Sequence, residues 1–366
     1  MTITAETPVL SSMFLPKART YVIILLSVFL QLRSCAGWTR PLTRMEFLGA
    51  LRELSVTQLQ PIIAIPLVFL PRAGCLAIQV SLQDGAYEYY AVVDTGSPFL
   101  TAPSEALYFS YDKSDRFPAS AEQYGESIGN MRWRESSVSL CSPASERLKP
   151  RPVCLQRPRA ILGVPPRSVL EDTGGLFCGL IADDDARPTF LGQFNMNSFQ
   201  LDWKKRLLTL GNSGTTKGAE VLDVYDLSPF GPNLHHYGVE CAHVEFMTEQ
   251  GSLVLTPKDL SRPVVVVVDS GLTGCILSDS WLEESAFVSR QELATIKGAA
   301  IRLNGKGQEV KLTSQPEYWF LSCFRLPWFT DEKNHPHILA AGATFLNGSR
   351  VGVDAKARKL SIISPD

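Results

Sequence analysis

Tyr90-Ala91-Val92-Val93-Asp94-Thr95-Gly96-Ser97 and Val264-Val265-Val266-Val267-Val268-Asp269-Ser270-Gly271 follow one pattern: an apolar run ending in Asp-Thr/Ser-Gly. Short continuous runs rich in β-branched residues read as buried strands. A carboxylate at the end of such a strand is costly to remove from water, so a chain that places two of them there has a use for them.

A second marker recurs in the same order. Thr189-Phe190-Leu191 precedes Phe199-Gln200-Leu201-Asp202 and a basic turn at Lys204-Lys205-Arg206. Thr344-Phe345-Leu346 precedes Val351-Gly352-Val353-Asp354 and a basic turn at Lys356-Ala357-Arg358. Two markers repeated in order mean two related lobes. Between the two aspartates lie Gln123-Tyr124-Gly125-Glu126-Ser127, which reads as a hairpin turn, and the apolar segments Ala160-Ile161-Leu162-Gly163-Val164 and Leu176-Phe177-Cys178-Gly179-Leu180. Ile338-Leu339-Ala340-Ala341-Gly342 takes the equivalent place in the second half.

This ordered set, from about Ile62 to the C-terminus, resembles the pepsin-like aspartic peptidases. The resemblance implies an all-β, bilobal acid-protease fold, two β-barrel-like lobes with the active-site cleft between them. It implies a catalytic pair, Asp94 and Asp269, that shares a proton and activates a water to hydrolyse peptide bonds. Thr95 and Ser270 carry hydroxyls that brace the two loops against each other, and Gly96 and Gly271 let backbone approach the carboxylates. Ser97 matches the position whose hydroxyl donates to the first carboxylate. Tyr124 and Gly125 fall in the flap that closes over substrate. No cofactor or metal is required. The partners implied are a peptide or protein substrate and pepstatin-type inhibitors, acting on a monomer.

Two positions depart from the family pattern. Leu272 stands where the second lobe usually has Thr or Ser. Losing that donor destabilises the ionised carboxylate and predicts activity at less acidic pH than pepsin, or weaker activity. Thr273, next in sequence, is a candidate substitute hydroxyl. Thr101 stands where the family often has a Trp that supports the flap tyrosine. Both departures favour the alternative, a catalytically silent pepsin-like protein that holds a peptide or inhibitor; both intact Asp-x-Gly triads count against it.

With 366 residues and a formal net charge of −2, the chain is long enough for two lobes and gives no reason to expect nucleic acid. The expected organisation is a signal peptide over 1–37, a transit peptide, propeptide or linker over 38–61, an N-terminal lobe over 62–212 and a C-terminal lobe over 213–366. Lys17 and Arg19 precede an apolar stretch, Tyr21 to Leu30, followed by small residues near Ala36 and Gly37. This pattern predicts secretory targeting, to a secreted or vacuolar destination, or to a plastid through a bipartite leader. A membrane is a partner only if that stretch is uncleaved.

Of eight cysteines, Cys141 and Cys154 have a spacing that allows a disulfide loop, while Cys178 and Cys275 read as buried apolar filler. His235, His236, His335 and His337 read as solvated loop histidines. Arg147, Lys149, Arg151, Arg157 and Arg159 read as a charged surface loop. Asn347-Gly348-Ser349 is a glycosylation sequon for a chain that passes through the endoplasmic reticulum.

Overall fold

The computed structural model describes residues 62–105, 115–124, 127–143, 152–166, 176–184, 186–211, 218–231, 234–255, 261–283, 293–305, 309–324 and 335–365. The leader, the 38–61 segment, the 212–217 stretch and Gly125 lie outside them, and Tyr124 is described by its backbone alone.

In the first half, β1 (Ile63–Pro66), β2 (Val68–Leu70), β3 (Cys75–Leu82), β4 (Tyr87–Asp94), β5 (Ser120–Tyr124), β6 (Ser127–Cys141), β7 (Val153–Val164) and β8 (Phe177–Gly179) lead to a short helix, α1 (Phe190–Gln193). The strands β9 (Ser198–Asp202) and β10 (Leu207–Leu210) follow. The second half runs through β11 (Glu220–Asp223), β12 (Gly238–Thr248), β13 (Gly251–Leu255), β14 (Val264–Val268), β15 (Cys275–Ser278) and α2 (Ser280–Glu283). It continues with β16 (Ile296–Asn304), β17 (Glu309–Thr313), β18 (Leu321–Phe324), β19 (His337–Ala341), α3 (Ala343–Leu346), β20 (Arg350–Asp354) and β21 (Lys359–Ile363).

These strands form three sheets. β2 to β8 make a seven-stranded sheet, β12 to β19 an eight-stranded one, and a six-stranded sheet of order β1-β10-β9-β20-β21-β11 draws on both halves. At the centre of the third, β9 and β20 run antiparallel with Gln200 opposite Gly352, so each half contributes three strands about a pseudo-twofold.

The basic turns repeat down to single atoms. Asp202 Oδ1 accepts from Lys205 N at 2.8 Å and Asp354 Oδ1 from Ala357 N at 2.9 Å. Arg206 and Arg358 adopt positive φ at matching places, 51° and 52°.

The apolar runs bury as their composition demands. All five valines of β14 and all eight residues of β3 are buried, and each strand is flanked by neighbours on both edges. β4 lies parallel to β8, with Asp94 opposite Gly179, and β14 lies parallel to β19, with Val268 opposite Ala341. Each aspartate thus leaves its strand beside an apolar-Gly segment. A side chain on Gly179 would meet the Ser97 carbonyl at 2.4 Å, and one on Gly342 would meet the Leu272 carbonyl at the same distance, so both loops need a bare backbone beneath them.

Several sequence expectations are corrected here. No disulfide joins Cys141 to Cys154: both remain thiols, with Cys141 Sγ against the Ser139 carbonyl and Cys154 Sγ against Ser142 Oγ. His337 is wholly buried on β19, bonded through Nδ1 to Ser280 Oγ at 3.0 Å and packed 5.4 Å from the Trp281 ring, and His335 is also buried. Arg157 and Arg159 lie on β7, where Arg159 pairs with the buried carboxylate of Glu135; Arg147, Lys149 and Arg151 lie outside the described residues. In the sequon, Asn347 Nδ2 donates to Gln315 Oε1 at 3.1 Å and Ser349 is buried. Cys178 and Cys275 are wholly buried strand residues, as expected.

Candidate active site

Asp94 ends β4 and Asp269 follows β14 directly, so the two strands deliver their carboxylates to one place. The loops that carry them are cross-braced by four hydrogen bonds. Thr95 Oγ1 donates to the Val268 carbonyl at 2.7 Å and accepts from Ser270 N at 2.9 Å. Ser270 Oγ donates to the Val93 carbonyl at 2.6 Å and accepts from Thr95 N at 3.0 Å. Each hydroxyl satisfies a buried main-chain donor and acceptor of the opposite loop, which would otherwise be left unpaired at a cost of about 1–3 kcal/mol each.

The glycines explain how close the carboxylates lie. A side chain on Gly96 would meet Asp269 Cγ at 2.6 Å, and one on Gly271 would meet Asp94 Cγ at 2.5 Å. Each loop therefore passes against the carboxylate of the other, and only glycine permits it. Within each loop the aspartate accepts from the glycine two residues on, Gly96 N to Asp94 Oδ1 at 2.7 Å and Gly271 N to Asp269 Oδ1 at 3.0 Å.

Burial pushes the pKa of both carboxylates up, and their supports differ. Asp94 is opposed in that rise by the Gly96 N–H, by its bond with Asp269, by the Ser97 hydroxyl and by the Gly271 N–H. Ser97 Oγ lies near the Asp94 carboxylate without meeting full hydrogen-bond geometry. Asp269 is pushed well above the usual carboxylate range, by burial first and then by the Asp94 charge, and only the Gly271 and Leu272 N–H groups oppose it. Two buried carboxylates this close titrate as a pair, and burial favours a proton held between them. Thr273 does not replace the missing hydroxyl: its side chain bonds the thiol of Cys75, whose pKa burial and the nearby Asp269 charge push up to about 12.

Two neighbours escaped sequence reasoning. Cys75, at the start of β3, sits close enough to feel both carboxylates. His236 bonds the Gly96 carbonyl, and burial pushes its pKa down to about 4. It walls a cavity of about 400 Å³ that also takes in Asp183, Tyr225, Leu227 and Tyr237. Nothing in the sequence marked Cys75, and His236, read there as a solvated loop histidine, is corrected to a buried neighbour of the Asp94 loop.

Thr101 does not reach toward the flap as a tryptophan would. Its hydroxyl is buried, donating to the Phe177 carbonyl at 3.1 Å and accepting from Phe177 N at 2.6 Å. The backbone of β5 and β6 forms a hairpin with Tyr124 opposite Ser127.

No model of a protein family matches the sequence, and no curated protein matches it. Solved structures do match. The aspartic proteinase from Irpex lacteus has a TM-score of 0.51 at 14% identity, covering 84% of this chain and 98% of that one. The fold is pepsin-like. Basic 7S globulin from soybean has a TM-score of 0.53 at 11% identity, covering 82% of this chain and 95% of that one. Edgp has a TM-score of 0.55 at 12% identity, covering 83% and 95%. At such identities the likeness of this pepsin-like chain to these proteins concerns fold alone.

Proposed function

We propose that this chain is an aspartic endopeptidase. The observation that carries the proposal is the carboxylate pair: two aspartates from related loops, each against the other's glycine, cross-braced by hydroxyls and unequally supported. Asp94, ionised, takes a proton from a water held between the carboxylates as that water attacks the peptide carbonyl. Asp269, protonated, donates to the carbonyl oxygen, and redistribution of the protons expels the amine. The reaction needs no cofactor.

Substrates are extended peptides with apolar residues beside the scissile bond, held by main-chain hydrogen bonds to the hairpin and lobe edges. The enzyme acts as a monomer, reaches its compartment through the N-terminal leader, and works at less acidic pH than pepsin because Leu272 withholds a hydroxyl from Asp269.

A silent binding protein is the second reading. It is favoured by Leu272 and Thr101, and by a fold shared with proteins named as a globulin as well as a proteinase. Cleavage of a quenched apolar peptide from pH 3 to 7, with and without pepstatin, separates the two. Pepstatin-sensitive cleavage that falls at least about 10³-fold in Asp94→Ala and in Asp269→Ala establishes the enzyme. A folded, processed sample that binds pepstatin and cuts nothing establishes the binding protein.

A further inference from the structure

Beneath the β5–β6 hairpin lies a small apolar cluster separate from the main core, formed by Phe99, Met131 and Trp133 with Phe117 and Ile161 packed against it. Phe99 belongs to the loop that carries Asp94, whereas Met131 and Trp133 belong to the hairpin's second strand. Phe99 and Trp133 meet edge to face at 4.7 Å between ring centroids.

Arg187 reaches this cluster from the segment before α1. Its guanidinium carbon is 4.8 Å from the centroid of the Phe99 ring and 4.6 Å from that of Trp133. Its Nη1 donates to Ser120 Oγ on β5, and the same oxygen accepts from Trp133 Nε1 at 3.0 Å. Asp184 supplies the counter-charge, with Oδ1 at 3.9 Å from Arg187 Nε and accepting from Arg187 N at 2.7 Å. The Arg187 side chain is only 12% exposed and that of Asp184 4%. The segment itself is tied to the Asp94 loop, since Phe190 N donates to the Pro98 carbonyl at 2.8 Å.

A guanidinium is costly to bury, and the contacts of its head group offset that cost by tying it to the cluster and to Asp184. What it joins are three pieces: the Asp94 loop through Phe99, the first hairpin strand through Ser120 and the second through Trp133. A planar cation that stacks on two rings while donating sideways fits all three at once, which an ammonium does not. Thr101 has no ring with which to brace the hairpin.

We propose that Arg187 is a positioning residue that fixes the base of the β5–β6 hairpin over the Asp94 loop and so sets how tightly the site holds an extended peptide. The proposal rests on the endopeptidase reading for its consequence in turnover, while the coupling itself has an independent readout.

The test compares the full chain with Arg187→Met and Arg187→Lys by hydrogen exchange, pepstatin affinity and steady-state kinetics. Arg187→Met is expected to accelerate amide exchange in 120–124 and 127–133 about tenfold while β9 and β20 exchange as in the wild type. It raises KM and weakens pepstatin, each by about tenfold, with kcat changed less than about threefold. Arg187→Lys, which keeps the charge and loses the planar stack, falls between. Wild-type exchange in the hairpin, or an increase spread equally over all strands, overturns the proposal. If the wild type cuts nothing, the endopeptidase reading has failed, and hairpin exchange and pepstatin affinity still decide whether Arg187 couples the hairpin to the loop.

Discussion

The Asp94 loop and the Asp269 loop are the same in backbone and different in what surrounds it. Both leave a buried strand, both are closed by an Asp-to-Gly main-chain bond, and both rest on a bare glycine, Gly179 or Gly342. Around Asp94 stand Ser97, the Gly271 N–H and, behind the Gly96 carbonyl, His236; around Asp269 only main-chain donors oppose its protonation. Backbone symmetry brings two carboxylates together, and unequal side chains surround them.

The largest test of the symmetric half of that comparison is the brace. Thr95→Val removes a donor to Val268 and an acceptor for Ser270 N, and Ser270→Ala removes the mirror pair, so each should cost about 2–4 kcal/mol in denaturant unfolding. Equal costs sharpen the symmetry; a loss confined to one variant breaks it.

The asymmetric half is tested by neutralising each carboxylate. Both have raised pKa values in the folded state, so the stability they contribute is full below the unfolded carboxylate range and is lost as pH rises through the raised values. Asp269→Asn leaves Asp94 with Ser97 and two glycine N–H groups, whereas Asp94→Asn leaves Asp269 with main-chain donors alone. Both variants should therefore gain Tm at pH 7 relative to the wild type, Asp269→Asn by several degrees and Asp94→Asn by less. The reverse order in a thermal melt would assign the proton to the other aspartate.

The smallest effect concerns His236. Its lowered pKa means that its contribution is present above the ordinary imidazole range and lost as pH falls toward about 4. His236→Gln should flatten that acid-side loss in Tm measured from pH 7 to pH 4. A variant that keeps the wild-type slope removes His236 from the account.

Fold and carboxylates were legible because both rest on local pattern. Val264 to Val268 must be buried on both faces, and a run that ends in Asp-Ser-Gly carries its turn with it. The departure at Leu272 was legible too, but not where the Thr273 hydroxyl goes, because its partner Cys75 lies nearly two hundred residues away in sequence. Pairing was equally hidden: the spacing of Cys141 and Cys154 fits a disulfide, yet across the bulged pairing of β6 and β7 both remain thiols. His337 looked solvated beside Pro336, yet it begins β19 inside a sheet. Arg187 had no signal at all, since an arginine in a polar loop shows nothing of the two rings that the fold brings to it.

The pH dependence of kcat/KM from pH 2 to 8, in the wild type and in Leu272→Thr, reads out in turnover whether the surroundings of Asp269 set its protonation. We expect a wild-type optimum well above pH 3, and an alkaline limb that moves down by roughly one pH unit when a hydroxyl is restored beside Asp269. Full wild-type activity at pH 2 to 3, unchanged in Leu272→Thr, would contradict this.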